Sequence, residues 1–149
     1  MNGQSMSQIT SSEAIITDYV HITQERIDSF ARATEDRQWI HVDASRAALH
    51  SPFKTTVAHG FLTLALLPYL LSRHIDDPAY GMRINYGFNR VRLLSPVRVD
   101  AKVRAHARLL KEVEIRNGIE RTWDIMLECE GGKIPACVAE WVVRYYGEA

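Results

Sequence analysis

Hydrophobic and polar positions divide the chain into a first half with helical patterns and a second half with strand patterns. Residues 14–21 predict a short first strand. Residues 24–34 follow with a helical period, and Thr23 directly before them has the side chain of an N-cap. The residues of this segment that share one helix face are Ile27, Phe30, Ala31 and Thr34. A helix over 24–34 is therefore expected.

Residues 35–43 show no clean period and predict a loop. Asp43 then fits as the N-cap of a short helix over 44–50. The most hydrophobic stretch of the chain is 60–75, where apolar residues lie on nearly every side, which predicts a helix buried all round. Pro68 lies inside this stretch and should bend the helix or divide it in two.

From about residue 81 the pattern changes to the two-residue period of strands. Residues 82–94 are strand-like and end at Ser95-Pro96. Apolar and charged residues then alternate over 97–110, as in an antiparallel strand with one solvated face. Asn117-Gly118 is a strong turn signal before the next two strands. The pattern predicts an α+β protein with four or five antiparallel strands packed on one long apolar helix.

Composition narrows the class of protein. A chain of 149 residues predicts one domain over 13–149, after a flexible N-terminus over 1–12. The 18 basic and 18 acidic residues cancel, which disfavours a nucleic-acid binder or a polybasic membrane protein. No apolar run approaches the ~20 residues of a membrane span. Cys129 and Cys137 stand apart, as in a reduced cytoplasmic protein.

Asp36 and His41 are the candidates for chemistry. In an extended chain they would lie about 16 Å apart, so they can meet only if the residues between them fold back as a loop. An imidazole and a carboxylate on one water form a general acid/base pair. The alternative is that both are ordinary loop residues. A metal site at His41 and Asp43 is disfavoured because no third ligand has a suitable spacing.

His59-Gly60 opens the apolar helix. The first N–H groups of a helix have no partner within it, and Gly60 would let a carbonyl oxygen approach them as in an oxyanion hole. The alternative is that Gly60 only permits close packing. The arginines on the strands could hold phosphates, although a stripe of this kind is more often a solvated sheet face; they are Arg83, Arg90, Arg92, Arg98, Arg104 and Arg108.

Together these residues resemble the MaoC-like dehydratase family, also called hydratase-2, and especially its nodulation-protein-N-like branch. The resemblance rests on Phe30 to Asp43, on Ala58-His59-Gly60, and on the segment 85–97. It spans roughly 13–146. Glu35 stands where the family usually has Gly, and Gln38-Trp39 stands where it usually has Asn-Pro. Pro68 lies near the place where some members carry a serine, which puts a three-residue catalytic arrangement in doubt.

The resemblance implies a hot-dog fold, a homodimer and an (R)-specific enoyl-CoA hydratase that needs no cofactor beyond the coenzyme A of its substrate. It assigns catalysis to Asp36 and His41 and the oxyanion hole to the backbone of Gly60. Substrate binding is predicted for His59, Gln38, Arg90 and Arg92. A hot-dog thioesterase and a non-catalytic acyl-thioester-binding subunit are the alternatives; release of free thiol would identify the first, and binding without turnover the second.

Overall fold

The computed structural model describes residues 13–148. The predicted flexible segment 1–12 lies outside the described residues. The elements in chain order are β1 (Ile15–Ile16), β2 (Val20–His21), α1 (Gln24–Thr34), α2 (Trp39–Val42), α3 (Ala44–His50), α4 (Gly60–Ala65), α5 (Leu67–Ile75), β3 (Met82–Leu93), β4 (Lys102–Ile115), β5 (Gly118–Cys129) and β6 (Cys137–Tyr146).

The strands form one antiparallel sheet of six strands in the order β1-β4-β5-β6-β3, with β2 pairing the same β4 as β1. The predicted first strand is split into two short pieces, so the sheet has one strand more than expected. β4 and β5 meet in the predicted hairpin, where Asn117 adopts a positive φ of 63°. Asn tolerates this left-handed conformation better than most residues.

The core lies between the inner face of the sheet and the helix pair α4–α5. Leu67, Leu71 and Ile75 from α5 pack in one cluster with Ile125 and Leu127 from the sheet. This arrangement of a sheet wrapped around a central hydrophobic helix confirms the predicted hot-dog fold. Within residues 13–148, every helix is too short or too polar to span a bilayer.

Both predicted N-caps of the helical half are present. Thr23 Oγ1 accepts a hydrogen bond from the Arg26 N–H at 3.2 Å, and Asp43 Oδ1 accepts one from the Arg46 N–H at 2.9 Å. Pro68 stands at the start of α5, and the central helix is divided there as expected. Pro lacks a backbone N–H, so it is tolerated in the first turn of a new helix.

Three local predictions were wrong. The central helix is not buried all round, because only one face meets the sheet; Phe61 and Tyr69 are 71% and 67% exposed. The loop over 35–43 contains the helical turn α2, which is too short to show a period. The strand predicted from 97 begins at Lys102, because residues 97–99 instead bond to the segment 56–58.

Candidate active site

His41 lies on α2 with its side chain buried, at 7% exposure. Its Nδ1 is 2.6 Å from the backbone oxygen of Val57. A carbonyl oxygen only accepts, so Nδ1 carries the hydrogen and donates it. In the neutral ring, Nε2 therefore holds the lone pair. The side chain is fixed in the tautomer that presents a proton acceptor.

A partly buried network holds the backbone around His41. Gln24 Nε2 donates to the His41 carbonyl oxygen at 2.8 Å, and the Thr56 hydroxyl donates to Gln24 Oε1 at 2.5 Å. Thr56 directly precedes Val57. The side-chain amide of Gln24 therefore links the two segments that position the imidazole. Gln24, Thr56 and the Val57 carbonyl could not be found from the sequence, because these contacts join residues far apart in the chain.

Asp36 follows the end of α1 and is exposed. Glu35 before it has a φ of 61°, in the left-handed region that favours glycine. This turn reverses the chain, and the Asp36 Oδ1 accepts from the Gln38 N–H at 3.5 Å. One ligand atom from each of Asp36, His41 and His59 lies within 4.8 Å of the others. The structure thus brings the predicted pair together.

His59 is buried behind His41 at 2% exposure, and the two rings stack with centroids 3.9 Å apart at an angle of 24°. Asp36, His41 and His59 are the residue types that ligate transition metals. The nitrogen lone pairs of an imidazole lie in the plane of its ring, and the planes of two stacked rings are nearly parallel. The ligands of a zinc site instead converge on one point. The observed geometry suits proton transfer better than metal binding.

His41 lies at the wall of a cavity of about 300 Å³. Its lining includes both His41 and Gly60, and its apolar wall includes Ile40, Phe53, Val57, Leu93, Leu94 and Val97. Asp36 is not part of this lining. A Cβ added at Gly60 would overlap the side chain of Leu93. Gly60 therefore serves close packing against Leu93 at the wall of the cavity.

The remaining predicted substrate contacts are dispersed. Gln38 caps α2 and is exposed beside Asp36. Arg90 and Arg92 pair with Glu140 and Val138 across β3 and β6, on the outer face of the sheet. Leu93, which lines the cavity, lies on the opposite face of the same strand. The structure does not bring the two arginines to His41 within one chain.

Burial lowers the pKa of His41 below its usual value of 6.5, and the positive charge that His59 would carry lowers it further. The hydrogen bond to Val57 and the neighbouring Asp36 act in the opposite direction. The net effect favours the neutral imidazole at neutral pH. Burial raises the pKa of the Cys129 and Cys137 thiols, which disfavours a thiolate nucleophile at either position.

Comparison with known proteins identifies the family of the chain. The model of the MaoC-like domain family matches residues 8–127. The chain is 49% identical over 130 residues to the 3-hydroxyacyl-thioester dehydratase Z of Mycobacterium tuberculosis, covering 87% of this chain and 85% of that protein. It is 40% identical over 141 residues to the nodulation protein N of Rhizobium meliloti, covering 92% and 86%.

Among solved structures, the (R)-hydratase of A. caviae involved in PHA biosynthesis superposes with a TM-score of 0.74. The superposition covers 95% of this chain and 98% of that one at 24% sequence identity. At this identity the likeness speaks to the fold alone, and it agrees with the sheet and central helix described above.

Proposed function

The chain belongs to the MaoC-like dehydratase family, and from that premise we propose that it is an (R)-specific enoyl-CoA hydratase, adding water reversibly to trans-2-enoyl-CoA. The observation that carries the proposal is the buried His41 ring, whose Nδ1 is fixed by Val57 and which has a ring nitrogen within 4.8 Å of a carboxylate oxygen of Asp36. The (R) configuration of the product comes from the family resemblance.

In the proposed mechanism, Asp36 and His41 hold one water between them. His41 Nε2 accepts a proton from this water as its oxygen bonds to the β-carbon of the substrate. The electrons of the double bond move toward the thioester oxygen. His41 then returns its proton to the α-carbon, so that water has been added across the double bond on one face. A positioned acid/base of this kind contributes typically about 10²–10⁴-fold.

The developing charge on the thioester oxygen needs a donor, and the backbone N–H of Gly60 is the proposed one. Gly60 and His41 line the same cavity, which supports the assignment. A single donor of this type is worth about 10²–10³-fold in rate. The apolar walls of the cavity suit the acyl chain. Hydration of a polarised double bond needs only these groups and water, so the proposal includes no cofactor.

Activity is tested with purified protein and crotonyl-CoA. Hydration removes the ultraviolet absorbance of the conjugated thioester without releasing thiol, and a thiol reagent in a parallel assay measures hydrolysis. Loss of absorbance with no free thiol is the expected result. Release of thiol would replace the proposal with a thioesterase. Saturable binding of crotonyl-CoA and of longer enoyl-CoA esters, with neither change, would replace it with a binding subunit.

We further propose a homodimer that pairs through β3. This strand lies at the edge of the sheet and exposes apolar side chains, namely Met82, Ile84, Tyr86 and Phe88. A long apolar edge strand is a template for pairing with a second chain. Light scattering should give twice the monomer mass, and a stable monomer at micromolar concentration would reject this part of the proposal.

Arg90 and Arg92 are the proposed phosphate contacts. Both are exposed on β3, so in a dimer through this strand they would lie close to the second copy. Replacing each with Gln should raise the KM for crotonyl-CoA and leave unchanged the KM for crotonyl-N-acetylcysteamine, which has no phosphate. Equal effects on the two substrates would exclude phosphate binding.

The two cysteines are free, in agreement with the proposed cytoplasmic location.

A further inference from the structure

His59 contacts both residues of the proposed catalytic pair. Its ring stacks on His41 with centroids 3.9 Å apart, and its other side meets Phe30 at 4.9 Å and 52°. The side chain is 2% exposed. His59 is therefore packed against His41 and is not among the residues that line the cavity beside His41.

The Nε2 of His59 lies 2.9 Å from the backbone oxygen of Asp36. Because a carbonyl oxygen only accepts, Nε2 carries the hydrogen and donates. This bond joins the start of α4 to the turn that follows α1, across 23 positions of sequence. Within the turn itself, the Arg37 N–H donates to the Glu35 backbone oxygen at 3.1 Å. The Asp36 N–H donates to Thr34 Oγ1 at 3.5 Å, and the Gln38 N–H donates to Asp36 Oδ1 at 3.5 Å. The bond from His59 is the shortest of the four and comes from outside the turn.

Packing alone does not account for an imidazole at this position. With Nε2 protonated, Nδ1 of the neutral ring is an acceptor, and it is buried with no hydrogen-bond partner among the described residues. An unpaired buried polar atom lowers stability, and a phenylalanine or leucine would fill the space without one. What an apolar residue could not supply is the bond to Asp36.

We propose that His59 is a positioning residue, which fixes the Asp36 turn through its Nε2–H and supports the His41 ring by stacking. The inference rests on the proposed function and gives a role to a residue that touches no reacting atom. Without His59, the distance from the Asp36 carboxylate to His41 would no longer be fixed. The plane of the His41 ring would also lose the surface on which it stacks.

Two substitutions separate these contributions. His59→Phe keeps a ring against His41 and removes the donor, whereas His59→Gln keeps an N–H donor near the position of Nε2 and removes the ring. For His59→Phe we expect kcat for crotonyl-CoA hydration to fall about 10- to 100-fold with KM nearly unchanged, since a misplacement of about 1 Å can cost on the order of 100-fold. His59→Gln should recover part of this loss. His74→Phe, at an exposed histidine of α5, is the matched control and should retain full activity.

A second measurement is independent of catalysis. Long-range ¹H–¹⁵N spectra of the histidine rings report which nitrogen is protonated, and should show Nδ1–H for His41 and Nε2–H for His59. In His59→Phe the Asp36 amide and the His41 ring signals should broaden or divide, because the turn samples more than one position. If the wild-type protein fails to hydrate crotonyl-CoA, the spectra still test the positioning role while the proposed function falls.

Three results would overturn the inference. The first is a kcat within twofold of wild type for His59→Phe. The second is an increase in KM with unchanged kcat, which would make His59 a substrate contact. The third is an equal loss in both variants together with a matching loss of thermal stability and sharp, unshifted Asp36 and His41 signals, which would leave His59 a structural core residue.

Discussion

Two of the clusters that combine a carboxylate with histidine within residues 13–148 differ in how the carboxylate is occupied. On the outer face of the sheet, Glu128 accepts hydrogen bonds from Tyr19 at 2.8 Å, from Arg104 at 2.9 and 3.2 Å, and from His106 at 2.5 Å. At the candidate active site, the carboxylate of Asp36 accepts from the Gln38 N–H of its own turn at 3.5 Å.

The difference separates a structural cluster from a reactive one. A carboxylate that accepts several charge-assisted bonds is a weak base, and the hydrogen bonds to Arg104, His106 and Tyr19 lower the pKa of Glu128 to about 2. Asp36 keeps acceptor capacity for a water, and a nitrogen of the His41 imidazole lies within 4.8 Å of its carboxylate. The number of donors already bound to a carboxylate is therefore a better indicator of a reactive site than the presence of Asp or Glu beside His.

The largest expected effect is on turnover. Asp36→Asn and His41→Gln should each fold normally and lower the kcat for crotonyl-CoA hydration by about 10²–10⁴-fold, the usual contribution of a positioned acid/base. Steady-state kinetics measure the loss, and circular dichroism with thermal unfolding checks the fold.

Glu128→Gln is the matched control for both variants, because it makes the same kind of change in the other cluster. Its kcat should equal that of the wild type at temperatures where it is folded. If Asp36→Asn retained the wild-type rate, Asp36 would be a loop residue and the distinction between the two clusters would disappear.

The pH dependence of kcat/KM tests the lowered pKa of His41. The imidazole must be neutral to accept the proton of water, and its burial keeps it neutral below the usual value of 6.5. We therefore expect the acid limb of kcat/KM to be centred below pH 6.5, and to be absent in the residual activity of His41→Gln. An acid limb centred at or above 6.5 would contradict the assignment of His41 as the buried base.

A smaller effect is expected on stability at Glu128. The folded pKa of about 2 is below the ordinary value of 4.5, so the stabilisation is present above 4.5 and is lost as pH falls toward 2. Urea unfolding across this range should show Glu128→Gln less stable than wild type at pH 6, with the two converging near pH 2. A constant difference down to pH 2 would mean that the ion pairs do not cause it.

The sequence could predict what depends on neighbours in the chain. The cap at Thr23 and the helix after it follow from spacing, and the Asp36–His41 pair follows from the family pattern around it. Glu35 stands where the family usually has Gly, and its φ of 61° is the left-handed conformation that explains this glycine. What could not be predicted joins distant segments: the Val57 acceptor of His41 and the bond from His59 to Asp36.

The smallest effect we expect is at Gly60, where sequence and structure allow both a packing role and an oxyanion role. Gly60→Ala keeps the N–H but directs a methyl group at Leu93, whose half-exposed side chain can move. Overpacking costs typically about 1–3 kcal/mol, and a movable neighbour favours the low end of that range. Because Gly60→Ala keeps the backbone N–H, it should lower kcat/KM only modestly, by narrowing the cavity, and adding Leu93→Ala should restore it. Thermal unfolding and kinetics of the single and double variants measure both effects. A double variant as stable as wild type but still impaired would show that the loss does not come from the contact with Leu93.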